Sequence, residues 1–183
     1  MRTVLALAPL AIVLGIPVTT HAQDAPKTGI VMAYPTSVGI LWHASDKVAL
    51  RPEFSISGVS STLTSAQNTT DTSGVGFGVG ISALFYVHKD DNLRTYIVPR
   101  FVYSHSSTST STSIGFDVPD VGSDTYGGSG AFGAQYGLGK RFAVFGELGF
   151  EFDHRTTDPS ASGGKLTGST WGLRSGVGVI FYP

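Results

Sequence analysis

Apolar side chains return at every second position of this chain, segment after segment, and outside the N-terminus no stretch keeps a helical period. The clearest case is 141–154. There Phe142, Val144, Gly146, Leu148, Phe150 and Phe152 share one face, and Arg141, Ala143, Phe145, Glu147, Gly149, Glu151 and Asp153 share the other. In the last segment Trp171, Leu173, Ser175, Val177, Val179 and Phe181 oppose Thr170, Gly172, Arg174, Gly176 and Gly178. Segments 47–57, 75–87, 93–104 and 125–137 follow the same rule, and a shorter one near 37–44 carries Val38, Ile40 and Trp42. Repeated period-two segments predict an all-β chain of antiparallel strands. Assigning 27–34 as a further strand, turning at Pro35-Thr36, brings the total to the even number of a closed bacterial barrel. That segment is short, since a strand needs about 9–11 residues to cross a bilayer.

The N-terminus is different in kind. Met1-Arg2-Thr3 gives a positive start, Val4 to Val18 is almost wholly apolar, and Thr20-His21-Ala22 sets small residues before Gln23. This layout predicts a secretory signal peptide over 1–22 and one β-domain over 23–183. Its loss removes one of 12 basic residues and none of 13 acidic ones, leaving a net charge of −2. Such a balance offers no basic face for nucleic acid. Without cysteine there is neither a disulfide nor a lipid-modified thiol. Charged residues make up 14%, against about 25% in soluble domains. Past the leader no apolar run approaches helical spanning length, so entry into a membrane requires a closed barrel that satisfies its own backbone.

Alternation does not say which face meets water. A soluble ligand-binding barrel would carry the same stripes, with its wet face rich in Lys and Glu. Here the polar face is mainly Gly, Ser and Ala with scattered charges, as suits the narrow bore of eight strands. The aromatics of the apolar face sort by height. Trp42, Phe85, Tyr136, Phe142 and Phe181 lie towards one end, and Phe54, Phe77, Tyr103, Tyr126, Phe150, Phe152 and Trp171 towards the other. Two such girdles around an aliphatic band mark two membrane interfaces. Connections alternate as well. Short ones fall at 45–46, 88–92 and 138–140, and long polar loops are predicted at 58–74, 105–124 and 155–168.

The ending Val177-Gly-Val-Ile-Phe-Tyr-Pro183, with Ala49-Leu-Arg-Pro-Glu-Phe-Ser55 and the stretch 130–149, resembles small outer-membrane β-barrels related to the opacity proteins and the OmpA transmembrane domain. The resemblance spans essentially the whole mature chain and implies an eight-stranded up-and-down transmembrane barrel. It further implies insertion by the barrel-assembly machinery, contact with outer-membrane lipid and lipopolysaccharide, and a role at the cell surface, with a host or cell-surface partner for the loops. Members usually end on the aromatic itself, whereas here Pro183 comes last.

Eight charged residues, Arg51, Glu53, Arg94, Arg100, Glu147, Glu151, Asp153 and Arg174, fall on the inward face of such a barrel. Enclosed charges are tolerable when paired, so they predict a salt-bridge network filling the lumen, with Glu147 facing Arg174 across the last hairpin. The alternative is a polar path for small solutes. A two-carboxylate hydrolase built on Glu147 and Glu151 would need a cleft open to a sugar. His105-Ser106-Ser107 resembles the His-x-Ser motif of lipid A deacylases, with Asp117 or Asp120 as the acid within reach, but Thr108 stands where that motif has Asn. Gly128-Ser-Gly-Ala-Phe-Gly133 matches the dinucleotide fingerprint in form only, being inside a strand. His43, His88 and His154 lack metal-ligand spacing. The sequence therefore predicts a structural or surface-interaction barrel, no enzyme, and no cofactor or metal. A narrow channel is the runner-up and a membrane-embedded lipid hydrolase comes third.

Overall fold

The computed structural model describes residues 27–35, 37–65, 68–113, 117–159 and 164–183, so the leader expected at 1–22 lies outside the described residues. Eight strands follow one another: β1 (Thr28–Tyr34), β2 (Ser37–His43), β3 (Val48–Ser65), β4 (Asn68–Lys89), β5 (Leu93–Thr112), β6 (Asp117–Gly137), β7 (Phe142–Pro159) and β8 (Leu166–Phe181). Each pairs antiparallel with its neighbour in sequence, and β1 also pairs with β8, closing the barrel. Proline respects this ladder. Pairing lapses without a change of register between β2 and β3 around Pro52, and between β4 and β5 around Pro99, where the missing N–H would have donated. The turn after β2 is held by Ser45, whose Oγ accepts from the backbone N–H of Lys47 and Val48. The turn after β6 needs Gly139 at φ 139°.

The pleat sends the apolar rows outward. Ile81, Leu148 and Val177 stand 51%, 62% and 59% exposed, while Leu41, Leu84, Tyr96 and Val98 are sealed inside. A wall clad in such rows is at home in hydrocarbon rather than in water. The interior differs from expectation in one respect. Small residues line only part of it, and its lower half is filled by Val31, Leu41, Leu84, Tyr96, Val98, Phe145, Ile180 and Tyr182. Large and small alternate there: a Cβ on Gly133 would overlap the ring of Tyr96. These large residues share the phase of the polar row, and so are hidden among glycines and charges in the sequence.

The long loops are the main correction. Most of 58–74, 105–124 and 155–168 is strand, with β3 and β4 paired up to Ser65↔Asn68, β5 and β6 up to Ser111↔Asp117, and β7 and β8 up to Thr157↔Leu166. With Ser and Thr on both faces no hydrophobic period survives to be seen. The backbone ladder continues regardless, supported by cross-strand contacts such as Thr62 Oγ1 to Asp71 Oδ1 at 2.7 Å. In contrast β1 and β2 have 7 residues each.

Two substitutions probe the two faces. Leu148→Arg, at mid-height outside, should cost about 2–4 kcal/mol in urea unfolding from bilayers. Gly133→Val, inside against Tyr96, should cost about 1–3 kcal/mol. An unchanged midpoint for Leu148→Arg would mean that this row does not face lipid.

Candidate functional site

The barrel's centre is an ion cluster assembled by register. Arg51 and Glu53 are two apart on β3 and share a face, Ser82 lies opposite Arg51 on β4, and Arg100 lies opposite Ser82 on β5. Glu147 enters from β7 between Gly133 and Gly176, whose missing side chains leave room for its partners. Arg51 donates from Nε to Glu53 Oε1 at 2.8 Å and grips Glu147 with both terminal nitrogens, at 2.7 and 3.2 Å. Glu53 also accepts from Ser82 Oγ at 2.9 Å and from Arg100 Nη2 at 2.7 Å. Glu147 also accepts from Tyr96 OH at 3.1 Å and from Arg174 Nη1 at 3.2 Å. The Arg51 guanidinium lies over the Phe145 ring, 5.2 Å from its centroid. Bidentate, charge-assisted contacts of this kind are the strong ones. They are needed here, because ions held away from water are tolerated only with such geometry.

Five of the eight inward charges named from the sequence thus meet: Arg51, Glu53, Arg100, Glu147 and Arg174. Arg174 reaches Glu147 diagonally, since its register partner is Gly149. The other three do not join. Arg94 lies over Tyr86 at 5.8 Å, at the short-turn mouth, and lines a cavity there with Lys27, His43, Lys89 and Lys140. Glu151 and Asp153 point inward above the cluster, and no ion pair holds them among the described residues. A second polar layer went unnoticed in the sequence. Tyr86 OH donates to Gln135 Oε1 at 3.3 Å, and Gln135 Nε2 donates to Tyr182 OH at 3.0 Å. Its signal was the shared inward phase of Tyr86, Gln135 and Tyr182.

Outside, the girdle residues stand on the lipid-facing rows. Trp42, Phe85, Tyr136 and Phe142 are exposed near the short turns, where Phe142 meets Phe181 at 5.1 Å. Tyr126, Phe150, Phe152 and Trp171 are exposed at the other level, with Tyr103 half-buried among them. Phe142 and Phe152 are ten residues apart on β7, about 33 Å along the strand. At the usual tilt near 45° this is about 23 Å of height, close to the apolar band of such barrels.

Just beyond the outer girdle, on the outward face, Asp124 accepts from Tyr103 OH at 2.7 Å and lies 2.8 Å from His105 Nδ1. Hydrogen bonds from His105 and Tyr103 hold its carboxyl below the usual range. The acid beside His105 is thus Asp124, its register partner, where the sequence suggested Asp117 or Asp120. Among the described residues no hydrogen bond joins Ser107 to the His105 ring. The glycines of 128–133 lie within β6.

The crystal structure of a major outer membrane protein from Thermus thermophilus superposes with a TM-score of 0.55 at 12% identity, over 85% of this chain and 98% of that one. The fold is that of a small outer-membrane β-barrel. CarO of Acinetobacter baumannii (TM-score 0.44, 15% identity, 87% and 98% of the two chains) and Ail, the attachment invasion locus protein of Yersinia pestis (0.37, 9%, 84% and 93%), also align. No family model matches the sequence, and no characterised protein matches it. At such identities the likeness speaks for the barrel alone, and the residues must argue the rest.

Removing one partner of the central cluster leaves the other charge buried and unpaired. Arg51→Ala or Glu147→Gln should therefore destabilise the barrel by about 3–5 kcal/mol. Glu151→Gln should stay within about 0.5 kcal/mol. Urea titrations of the three variants in one detergent check this ranking, and an Arg51→Ala barrel as stable as the parent would discard the plug as a structural element.

Proposed function

We propose that this is an integral outer-membrane protein, exported by the 1–22 leader, whose role is structural and interactive at the cell surface. The observation that carries this reading is a bore sealed by Arg51, Glu53, Tyr96, Phe145 and Glu147, beneath a wall whose six strands β3 to β8 run on past the outer girdle as a polar sheet. A sealed bore argues against solute flow. The surface it leaves for function is the outer extension, rich in Ser and Thr and presented on a rigid scaffold. Its partners on this reading are outer-membrane lipid and lipopolysaccharide around the wall, the assembly machinery during insertion, and a host or cell-surface molecule at the extension.

A second reading has one observation in its favour. Asp124 and His105 form a hydrogen-bonded acid–imidazole pair on the outward face, with Ser107 two residues further along the same row. Acid, imidazole and hydroxyl in that order are the parts of a nucleophilic hydrolase, and their level is that of lipid head groups.

Three measurements separate these readings. Cell fractionation and electrophoresis of heated against unheated protein should give an outer-membrane band whose apparent size shifts only on boiling. In planar bilayers the barrel should give no discrete conductance steps, and regular steps would favour the channel. Mass spectra of lipid A should be identical with and without the protein. Loss of an acyl chain that vanishes in His105→Ala would replace the surface role with catalysis.

A further inference from the structure

The short turns surround a charged mouth. A cavity of about 600 Å³ opens there, and its charged lining is Lys27, Lys89, Arg94 and Lys140 against Asp46 and Asp91. The four bases come from just before β1, the end of β4, the start of β5 and the turn after β6, so they stand round the opening instead of along one strand. Among the described residues none of these six charges makes an ion pair. The residues just outside keep the same balance, with Lys47 and Arg141 against Asp90. Asp24, in the segment before Lys27, is matched by the amine that cleavage ahead of Gln23 frees.

Nothing further up the bore offsets the excess. The first acids on the inner wall are Glu147 and Glu53, and both are saturated, Glu147 by Arg51, Arg174 and Tyr96, and Glu53 by Arg51, Arg100 and Ser82. The unpaired acids Glu151 and Asp153 lie on the other side of that cluster. Glu151 is eight residues up β7 from Ala143, which lines the cavity, about 26 Å along the strand. Between mouth and cluster the floor is neutral and directional. Tyr86 OH donates to Gln135 Oε1, and Gln135 Nε2 donates to Tyr182 OH. That chain of donors leaves the Tyr182 hydroxyl with a proton to give and, among the described residues, no acceptor for it. Gln135 and Tyr182 both line the cavity, 5% and 8% exposed, so these are built-in polar groups and not surface side chains. A concave mouth with a cationic rim, a donor floor and low-dielectric walls concentrates its field on an anion.

We propose that the short-turn mouth is a binding site for a small oxyanion with two or more negative charges, carried on phosphate or carboxylate groups. Its charged groups lie among Lys27, Lys89 and Lys140, the fork of Arg94 takes one of them edge-on, and an inner oxygen accepts from Tyr182 OH. A water molecule takes about 30 Å³, so the cavity has room for several charged groups on one molecule. The outer-membrane reading above enters only in the side of approach, the periplasm. The boiling shift of the same samples tells failure of that reading apart from failure of this one.

Calorimetric titration of the folded barrel in non-ionic detergent at low salt tests the site with pyrophosphate and citrate, both multiply charged at neutral pH, and with acetate as the single charge. At least one of the two should bind once per barrel, about tenfold or more tighter than acetate, and the tighter of the two tells phosphate from carboxylate. Lys89→Gln and Lys140→Gln should each weaken it about two- to fivefold, the effect of one exposed charge contact. Lys47→Gln removes the same charge at the same end but outside the cavity, and should leave the affinity unchanged. Tyr182→Phe removes the floor's free proton and should weaken binding too; should that variant lose its boiling shift, the lysine variants, all at exposed positions, still decide. Absence of binding, acetate binding as tightly, or a loss in Lys47→Gln equal to that in Lys140→Gln overturns the proposal.

Discussion

In hydrocarbon a backbone N–H or C=O that is not bonded to protein has no water to turn to, at a cost of several kcal/mol for each. Every other feature of this molecule answers to that constraint. Closing the ring between β1 and β8 pairs the edges that an open sheet would leave bare. Once the ring is closed, the exterior must be apolar, so the side chains that alternate with it are confined to a bore too narrow for much water. The period of two is thus the same fact as the closed ladder, seen along the chain instead of around it.

Confinement explains the chemistry at the centre. A carboxylate in the bore cannot be hydrated as it would be at a surface, so Glu53 and Glu147 are each met by two guanidiniums and a hydroxyl. The same geometry in apolar residues would hold the barrel about as well, since buried ion pairs seldom add net stability. What the ions contribute is register. Arg51 meets Glu147 from the far side of the ring, across 96 residues of sequence, and a slip of one residue in any intervening pair would turn a charge out into lipid.

How much of this was legible follows from which signals survive in one dimension. The all-β class, the inward charges and the two aromatic levels show as phase in single strands, and phase needs no knowledge of neighbours. Partners are another matter. That Arg51 chooses both Glu53 and Glu147, while Asp153 joins neither, depends on the stagger between strands, which accumulates around the ring and leaves no mark on any one segment. The outer strands escaped for a different reason: Thr62, Asp71, Thr72 and Thr110 are polar whichever way they point, so nothing alternates. Tyr86, Tyr96 and Tyr182 drew no reading from the sequence, because a phenol suits both a membrane interface and a polar interior and so does not declare its side.

The contrast between two hairpins then organises the whole. β1 and β2 stop after 7 residues, whereas their neighbours run to 18 and 16. Below the tip of the short hairpin the protein is a barrel with a packed interior. Above it the same six strands form a curled sheet with two edges, and among the described residues no buried apolar cluster fills it. Its stability must come from the ladder and from side-chain pairs such as Thr72 with Thr110 and Ser113 with Asn68, each worth only about 0.2–1 kcal/mol. Arg100 and Arg174 sit where one regime gives way to the other, at the first level where charge inside the wall can meet something that is not protein. A single hairpin length thus decides where the bore ends, where the surface sheet begins, and which two cations are left facing the boundary.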